Sequence, residues 1–313
     1  MSELNEWFAE APANIALVKY MGKLPGNLAV NPSLSYSSSA FKTEVSLRRT
    51  TKSYDFMEFD NKETLLDAKE SKRFLDHLKY IKCFFGYDGF FSVISKNNFP
   101  PSCGLASSAS SFAALTLAAS KAITEIKKIS EPSMSELASL SRNGSGSSCR
   151  SFFSPWSIWE GEQVKPLKLD NLDIDHYVVV VTSAKKLVSS SEAHLRVRSS
   201  SLFAGRVDRA KSRLELLVSA LGDNRWRDCY NLVWADFWDM HAMFETSTPG
   251  FGYMTADTMT VLSYIRNYWH VNNDGPLITL DAGPNIHLLF RQNQIEIKRE
   301  ILKELKKRFK ILG

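Results

Sequence analysis

The chain contains the segment Pro100-Pro101-Ser102-Cys103-Gly104-Leu105-Ala106-Ser107-Ser108-Ala109-Ser110, a loop of small residues between a short apolar segment and a helix-forming run. The two prolines fix φ and remove two backbone donors, which stops the preceding strand. Residues 108–121 are rich in Ala and Leu, which favours a helix. Free N–H groups and a partial positive charge at the start of that helix suit an anion. The alternative is a serine N-cap on an ordinary helix.

Composition places the chain among soluble globular proteins. Its 313 residues suffice for two domains of ordinary size, and its 44% hydrophobic content allows a sizeable core. The net charge of +5 does not call for nucleic acid, but it suits an anionic small molecule. Four widely spaced cysteines, no secretory leader and no long apolar run predict reduced thiols, a cytoplasmic location and no membrane span.

The hydrophobic pattern of the first half predicts a mixture of strands and helices after a loose leader over residues 1–10. Its expected elements are a strand over 11–20, a polar loop over 27–39, a hairpin of 41–49 with 54–59, a helix over 71–85, a strand over 90–94 and a short helix capped by Ser133. A valine-rich segment at 177–182 is typical of a central strand.

The second half is mostly helical. Apolar residues at helical spacing predict helices over 202–221, 224–244 and 255–268, with a last helix over 294–309. Between them, residues 276–290 read as two apolar strands joined by a tight turn that begins at Asp281. We place a domain boundary in the basic, hydroxyl-rich segment 183–191, which gives domains of residues 1–184 and 185–313.

Three further features carry chemistry. Lys19 lies in an apolar strand, and a buried lysine is costly without a partner, unless it lies at a strand edge and reaches water. Arg150 lies in a second Gly/Ser loop, residues 142–151; this loop suits an anion or is a flexible surface loop. Asp281 stands at a strand end, where it either acts chemically or bonds its own turn.

Several common sites are not supported by the sequence. The loop at 100–110 lacks the Gly-Lys-Ser/Thr ending of a Walker nucleotide site. No Gly-x-Gly-x-x-Gly opens an early βαβ unit, and no Gly-x-Ser-x-Gly elbow is present. Asp236, Asp239 and His241 are close in sequence but do not have the spacing of metal ligands.

Taken together, these segments resemble the GHMP kinase superfamily and, within it, the diphosphomevalonate decarboxylase family. The loop at 100–110 resembles the ATP-phosphate loop of that superfamily. The branch is indicated by Asn14-Ile15-Ala16-Leu17-Val18-Lys19-Tyr20 with Gly22-Lys23, residues 144–151, residues 185–190 and Asp281-Ala282-Gly283-Pro284-Asn285. The matches run from residue 11 to residue 285 in the family's order.

The resemblance implies an α+β fold with two GHMP kinase domains. The first would resemble the second domain of ribosomal protein S5, and the second would be a helical, antiparallel α/β sandwich. The implied reaction is ATP-dependent decarboxylation of mevalonate 5-diphosphate to isopentenyl diphosphate, with Mg²⁺ bound to ATP. By analogy the enzyme would be a homodimer.

The resemblance also implies roles for particular residues. The catalytic group would be Asp281, Lys19, Arg150 and Asn14. The substrate's diphosphate would be held by Tyr20, Lys23, Ser145, Ser147 and Ser190. The ATP phosphates and Mg²⁺ would be held by Gly104, Leu105, Ala106, Ser107 and Ser108, with Ser108 facing the metal. A basic residue on the first helix would assist, and Arg73 and Lys79 are both candidates.

The chain departs from the family's pattern near the distal phosphates of the substrate. Met21 stands where the family usually has Trp, Leu24-Pro25 follows Lys23, Pro32 interrupts a matching segment, and Ser191 replaces an Arg or Thr. These departures leave open an enzyme that acts on mevalonate 5-phosphate, as a decarboxylase or a 3-kinase. A non-catalytic nucleotide- or RNA-binding protein on the same fold is the other alternative.

Overall fold

The computed structural model describes residues 6–58, 67–100, 105, 107–169, 172–184 and 186–313. The strands in this part of the chain are β1 (Glu6–Val18), β2 (Ser33–Arg49), β3 (Phe56–Met57), β4 (Phe91–Asn97), β5 (Trp156–Glu160), β6 (Gln163–Pro166), β7 (Ile174–Val180), β8 (Leu277–Thr279), β9 (Ile286–Arg291) and β10 (Lys310–Leu312). The helices are α1 (Ala68–Phe85), α2 (Ser107–Lys127), α3 (Met134–Arg142), α4 (Ser190–Arg196), α5 (Arg206–Gly222), α6 (Trp226–Glu245), α7 (Ala256–Asn272) and α8 (Ile295–Leu305).

The first sheet has the order β3-β4-β2-β5-β6, and β1 pairs antiparallel with the long strand β2. Helices α1 and α2 cover it. Val45 and Leu47 of β2 share one apolar cluster with Phe74 of α1 and Phe112 of α2. Burial of such side chains supplies the main driving force for this half of the fold.

Three predictions for the first half are wrong. The strand begins at Glu6, inside the segment predicted to be a loose leader. The predicted polar loop already belongs to β2 from Ser33 onwards, because the buried hydroxyls of Ser33 and Ser35 have polar partners from distant segments. The short strand β3 pairs in parallel with β4, not in a hairpin with β2, because β1 and β4 already pair with the two edges of β2.

The second sheet has the antiparallel order β10-β7-β9-β8, with the valine-rich strand β7 in its interior as predicted. The predicted pair of strands around Asp281 is β8 and β9, which pair in the register Leu277↔Leu289. The predicted helices of the second half are α5, α6, α7 and α8. Trp226 and Met240 of α6 are buried, each in a different apolar cluster.

Local caps explain several helix starts. Helix α3 begins after Ser133, whose side chain and that of Glu136 form the predicted capping box. Helix α1 begins after Asp67, three residues before the predicted start, because Asp67 and Glu70 form a second capping box.

One apolar cluster joins the two halves of the chain. It contains Ile15 and Leu17 of β1 and Leu34 of β2, together with Phe237 of α6 and Leu288 of β9. The domain boundary near residue 184 stays a prediction. Among the described residues, no helix is long and apolar enough to cross a membrane.

Candidate active site

The predicted lysine and aspartate meet in the folded chain. Lys19 directly follows β1, and Asp281 lies in the turn between β8 and β9. The Nζ of Lys19 donates a hydrogen bond of 2.7 Å to Oδ1 of Asp281. The lysine side chain is only 2% exposed, whereas the aspartate side chain is 29% exposed. A buried cation is therefore paired with a carboxylate that still reaches the surface.

The charges around this pair set its protonation. Burial alone would raise the pKa of Asp281, but the Lys19 ammonium, His287 and Arg150 together hold that pKa below its usual range. Burial lowers the pKa of Lys19, and the Asp281 and Asp236 carboxylates oppose that shift. Asp281 is thus an ionised carboxylate at neutral pH.

Arg150 lies beside the pair in a 3₁₀ turn, Gly146–Phe152, and is 4% exposed. One guanidinium nitrogen donates to Ser33 Oγ over 3.0 Å, and the guanidinium carbon lies 5.3 Å from the ring centroid of Tyr20. Its buried Nε has no hydrogen-bond partner within the described residues. Because buried donors are normally satisfied, this guanidinium is suited to an anion such as a carboxylate.

Asn14 is fixed by three hydrogen bonds. Its amide nitrogen donates to the Ser147 carbonyl over 3.2 Å and to Ser151 Oγ over 2.8 Å, and its oxygen accepts from Ser35 Oγ over 3.2 Å. Strand β1 thereby holds the second Gly/Ser loop. The loop is mostly buried, so its interpretation as a flexible surface loop is wrong.

The first turn of α2 and the second Gly/Ser loop converge on a group of serines. Ser108 lies in the first turn of α2, and its hydroxyl is 3.5 Å from that of Ser145, which is in turn 3.5 Å from that of Ser147. Ser107 is the first residue of the helix, and Leu105 before it is buried. Gly104 and Ala106 lie outside the described residues. A helix N-terminus lined with hydroxyls suits phosphate oxygens.

Arg73 and Lys23 add two basic side chains to the candidate site. Arg73 donates to the Gly144 carbonyl over 2.6 Å, so of the two candidates on α1 the one at the loop is Arg73. Burial and the charge of Arg73 lower the pKa of Lys23 to about 8. Burial raises the pKa of Tyr20, whose ring stacks on His194 of α4. Ser190 is the exposed first residue of α4, and its role as a ligand stays a prediction.

The sequence interpretation missed Lys186. The sequence of segment 183–191 predicts a basic, hydroxyl-rich turn, yet Lys186 Nζ donates to the Ala282 carbonyl, next to Asp281. Burial lowers the pKa of Lys186, and the Asp281 carboxylate opposes the shift. The signal was a lysine pair that follows a central strand, which alone does not distinguish a solvated turn from a site.

The oxygen donors present fit Mg²⁺ bound to a nucleotide. Among the described residues no group of three or more His, Cys, Asp or Glu side chains could hold a metal by itself. Magnesium typically takes only one or two protein ligands and completes its shell with phosphates and water. The Ser108 hydroxyl in the first turn of α2 is a suitable ligand of that kind.

The two helix-covered sheets, with an ionised carboxylate on one hairpin and a helix N-terminus lined with serines, define a protein of the two-domain GHMP kinase fold. Residues 11–167 match the family described as diphosphomevalonate decarboxylase-like N-terminal domain, and residues 176–311 match the mevalonate 5-diphosphate decarboxylase C-terminal domain. The chain belongs to the diphosphomevalonate decarboxylase family.

Individual relatives agree with this assignment. A solved mevalonate diphosphate decarboxylase from Legionella pneumophila is 43% identical, has a TM-score of 0.93, and is matched over 98% of this chain and 100% of its own. The Saccharomyces cerevisiae diphosphomevalonate decarboxylase is 30% identical over 90% of this chain and 76% of its own length. A solved relative in complex with MVAPP, AMPPCP and magnesium is 26% identical, with a TM-score of 0.88 and coverage of 98% and 95%.

Proposed function

We propose that the chain catalyses the ATP-dependent decarboxylation of mevalonate 5-diphosphate, which yields isopentenyl diphosphate, ADP, phosphate and CO2. The observation that carries the proposal is the convergence of Lys19, Asp281 and Arg150 beside the serine-lined start of α2. The family assignment supports the same reaction.

Asp281 acts on the C3 hydroxyl of the substrate. Its ionised carboxylate orients that hydroxyl and takes its proton as the oxygen attacks the γ-phosphorus of ATP and ADP leaves. Lys19 keeps the carboxylate ionised and fixed in place. When bound to the ATP phosphates, Mg²⁺ would screen charge during phosphoryl transfer.

Arg150 and Asn14 act in the second step. The tertiary 3-phosphate leaves with the C–O bonding electrons, and the electrons of the C–C bond to the carboxylate form the new double bond as CO2 departs. Arg150, with its unpartnered Nε, holds the substrate carboxylate and stabilises charge during this step. Asn14, fixed by Ser147 and Ser151, positions the same group.

The remaining side chains bind phosphates. Ser107 and Ser108, with residues 104–106, hold the ATP phosphates. Lys23 and Arg73 provide two cations for the substrate's diphosphate, near Tyr20. Two cations suit a diphosphate better than a monophosphate, and this favours mevalonate 5-diphosphate over the monophosphate. Ser145, Ser147 and Ser190 complete the set of ligands for the diphosphate.

The free thiols Cys83, Cys149 and Cys229 are consistent with the expected cytoplasmic location, and a homodimer stays an expectation.

The test compares turnover of mevalonate 5-diphosphate and mevalonate 5-phosphate with Mg-ATP, with CO2, ADP and phosphate measured together. We expect CO2 from the diphosphate in equal amount to ADP. Asp281→Ala should abolish turnover while ATP still binds, and Arg150→Ala should lower kcat more than nucleotide affinity. ADP without CO2, or near-normal rates in Asp281→Ala, would contradict the proposal.

Arg73→Ala gives a test of the substrate site with a matched control. We expect this variant to raise KM for the diphosphate, because one of two cations at the phosphates is lost. Lys79→Ala removes an exposed lysine from the same helix and should leave KM unchanged. Equal effects of the two variants would mean that Arg73 acts only through the general charge of the surface.

A further inference from the structure

A fully buried ion pair contacts the backbone of Lys19. Arg206 of α5 and Asp236 of α6 are both 0% exposed. The Nη1 of Arg206 donates to Asp236 Oδ1 over 2.8 Å and to Asp239 Oδ2 over 2.7 Å. Two salt-bridged carboxylates thus fix one guanidinium between the helices.

This ion pair holds both polar groups of the Lys19 backbone. The Lys19 N–H donates to Asp236 Oδ2 over 2.6 Å, and Arg206 Nη2 donates to the Lys19 carbonyl. The Asn31 amide donates to the same carbonyl over 2.9 Å. Strand β1 ends at Val18, so the N–H and carbonyl of Lys19 bond to side chains and not to a neighbouring strand.

Stability alone is a poor explanation for this arrangement. Removing two charges from water is expensive, and apolar residues of similar volume often stabilise a core equally well. Neutral side chains would also satisfy one N–H and one carbonyl. A planar guanidinium and a carboxylate differ from such groups because they fix the direction of several hydrogen bonds at once.

We propose that Arg206 and Asp236 are positioning residues, which hold the Lys19 backbone so that its side chain meets Asp281. The inference rests on the proposed function, because it assigns a purpose to the Lys19–Asp281 pair. Lys19 Nζ bonds Asp281 at 2.7 Å from a backbone clamped on both sides, so a shift of the backbone moves the ammonium. The negative charge of Asp236 also favours the protonated form of Lys19.

The experiment measures CO2 release as a function of pH for Asp236→Asn and Arg206→Lys, with kcat and KM for both substrates. Asp236→Asn keeps an acceptor for the Lys19 N–H but loses the charge. Arg206→Lys keeps the charge but cannot donate to Asp236 and to the Lys19 carbonyl in the same geometry. We expect kcat to fall on the order of 10- to 100-fold in both, with little change in KM for ATP. In Asp236→Asn the basic limb of the kcat/KM profile should move to lower pH.

Arg209→Gln is the matched control. Arg209 lies on the same helix and bonds Asp239 and the Leu202 carbonyl, and its described bonds do not include Lys19. This variant should lower the melting temperature without changing the pH profile. Asn31→Ala is a milder variant that removes one donor to the Lys19 carbonyl, together with the acceptor of the Met21 N–H, and keeps the ion pair. It should lower kcat without moving the basic limb.

The outcomes separate the inference from the proposed function. Absence of CO2 release by the unmodified enzyme would contradict the proposed function itself. With an active enzyme, wild-type kcat and pH profiles in folded Asp236→Asn and Arg206→Lys would overturn the inference. Equal losses in Arg209→Gln would also overturn it, since the network would then act only through stability. Should both charge variants fail to fold, unchanged kcat in Asn31→Ala would count as refutation.

Discussion

Replacing Lys19 with methionine tests the central ion pair most directly. The substitution keeps a long, unbranched side chain in the 2% exposed position and removes only the ammonium. The Asp281 carboxylate then loses the partner that lies 2.7 Å away. A carboxylate without a counter-charge is costly in a partly buried site, so we expect Lys19→Met to be less stable than the unmodified protein.

The size of the loss follows from the exposure of the two groups. Breaking a buried ion pair by removing one partner costs about 3–5 kcal/mol. Asp281 is 29% exposed and faces Arg150 as well, and the variant no longer buries an ammonium, so the loss should be smaller. We expect about 2 kcal/mol, or a fall in melting temperature of about 5 °C.

A double-mutant cycle with Asp281→Asn isolates the pair. The double variant carries no uncompensated charge, so its stability should exceed that expected from adding the single effects, by about 1–2 kcal/mol. The measurement is thermal unfolding of all four proteins at neutral pH. Strict additivity would refute the reasoning, because it would mean that the two side chains do not interact energetically.

The cycle also has a pH dependence of known sign. The pKa of Asp281 in the folded protein lies below its ordinary value of 3.8. The contribution of the pair is therefore fully present above that value and is lost as pH falls through the lower, folded pKa. The stability difference between wild type and Lys19→Met should accordingly shrink in strong acid. A difference that stays constant there would contradict the assigned charge states.

Two further predictions concern titrating groups outside the ion pair. Lys23 has a pKa lowered to about 8 by burial and Arg73, so KM for the diphosphate should rise as pH increases through about 8, and Lys23→Met should remove that rise. A KM that is flat across this range in the unmodified enzyme would contradict the role of Lys23. Burial is the main cause that lowers the pKa of His77, His194 and His241 to about 3, from an ordinary value of 6.5. Between these values the unfolded chain binds more protons, so the melting temperature should fall as pH decreases below 6.5. His77→Gln should weaken that fall, whereas an unchanged slope would show that His77 does not contribute.

The sequence predicted the elements that have strong local signals. The strand pair around Asp281 combines apolar runs with turn residues, and the helix that begins at Ser107 is rich in Ala and Leu. Only the resemblance to a family indicated that these segments form one site. In the structure, Lys19 donates a hydrogen bond to Asp281. Long-range pairing of this kind depends on the whole fold, and neither segment alone specifies its partner.

The sequence failed where tertiary contacts override local pattern. Serines at the start of β2 suggest a loop, but their hydroxyls bond Arg150 and Asn14 from distant segments. The choice between Arg73 and Lys79 depends on which side of α1 faces the Gly144 carbonyl, and only the structure supplies it. No local signal distinguishes a buried arginine that holds a strand end from an ordinary helix arginine, so the role of Arg206 was also missed.

The apolar cluster that joins β1 and β2 to α6 and β9 has a consequence for engineering. Exchanging one half of the chain for that of a homologue would bring together two surfaces shaped for different neighbours. Chimeras would therefore need matched side chains in this apolar cluster. A cut near residue 184 would leave each fragment with an apolar surface exposed to water. Fragments of this enzyme should be soluble only when they are produced together.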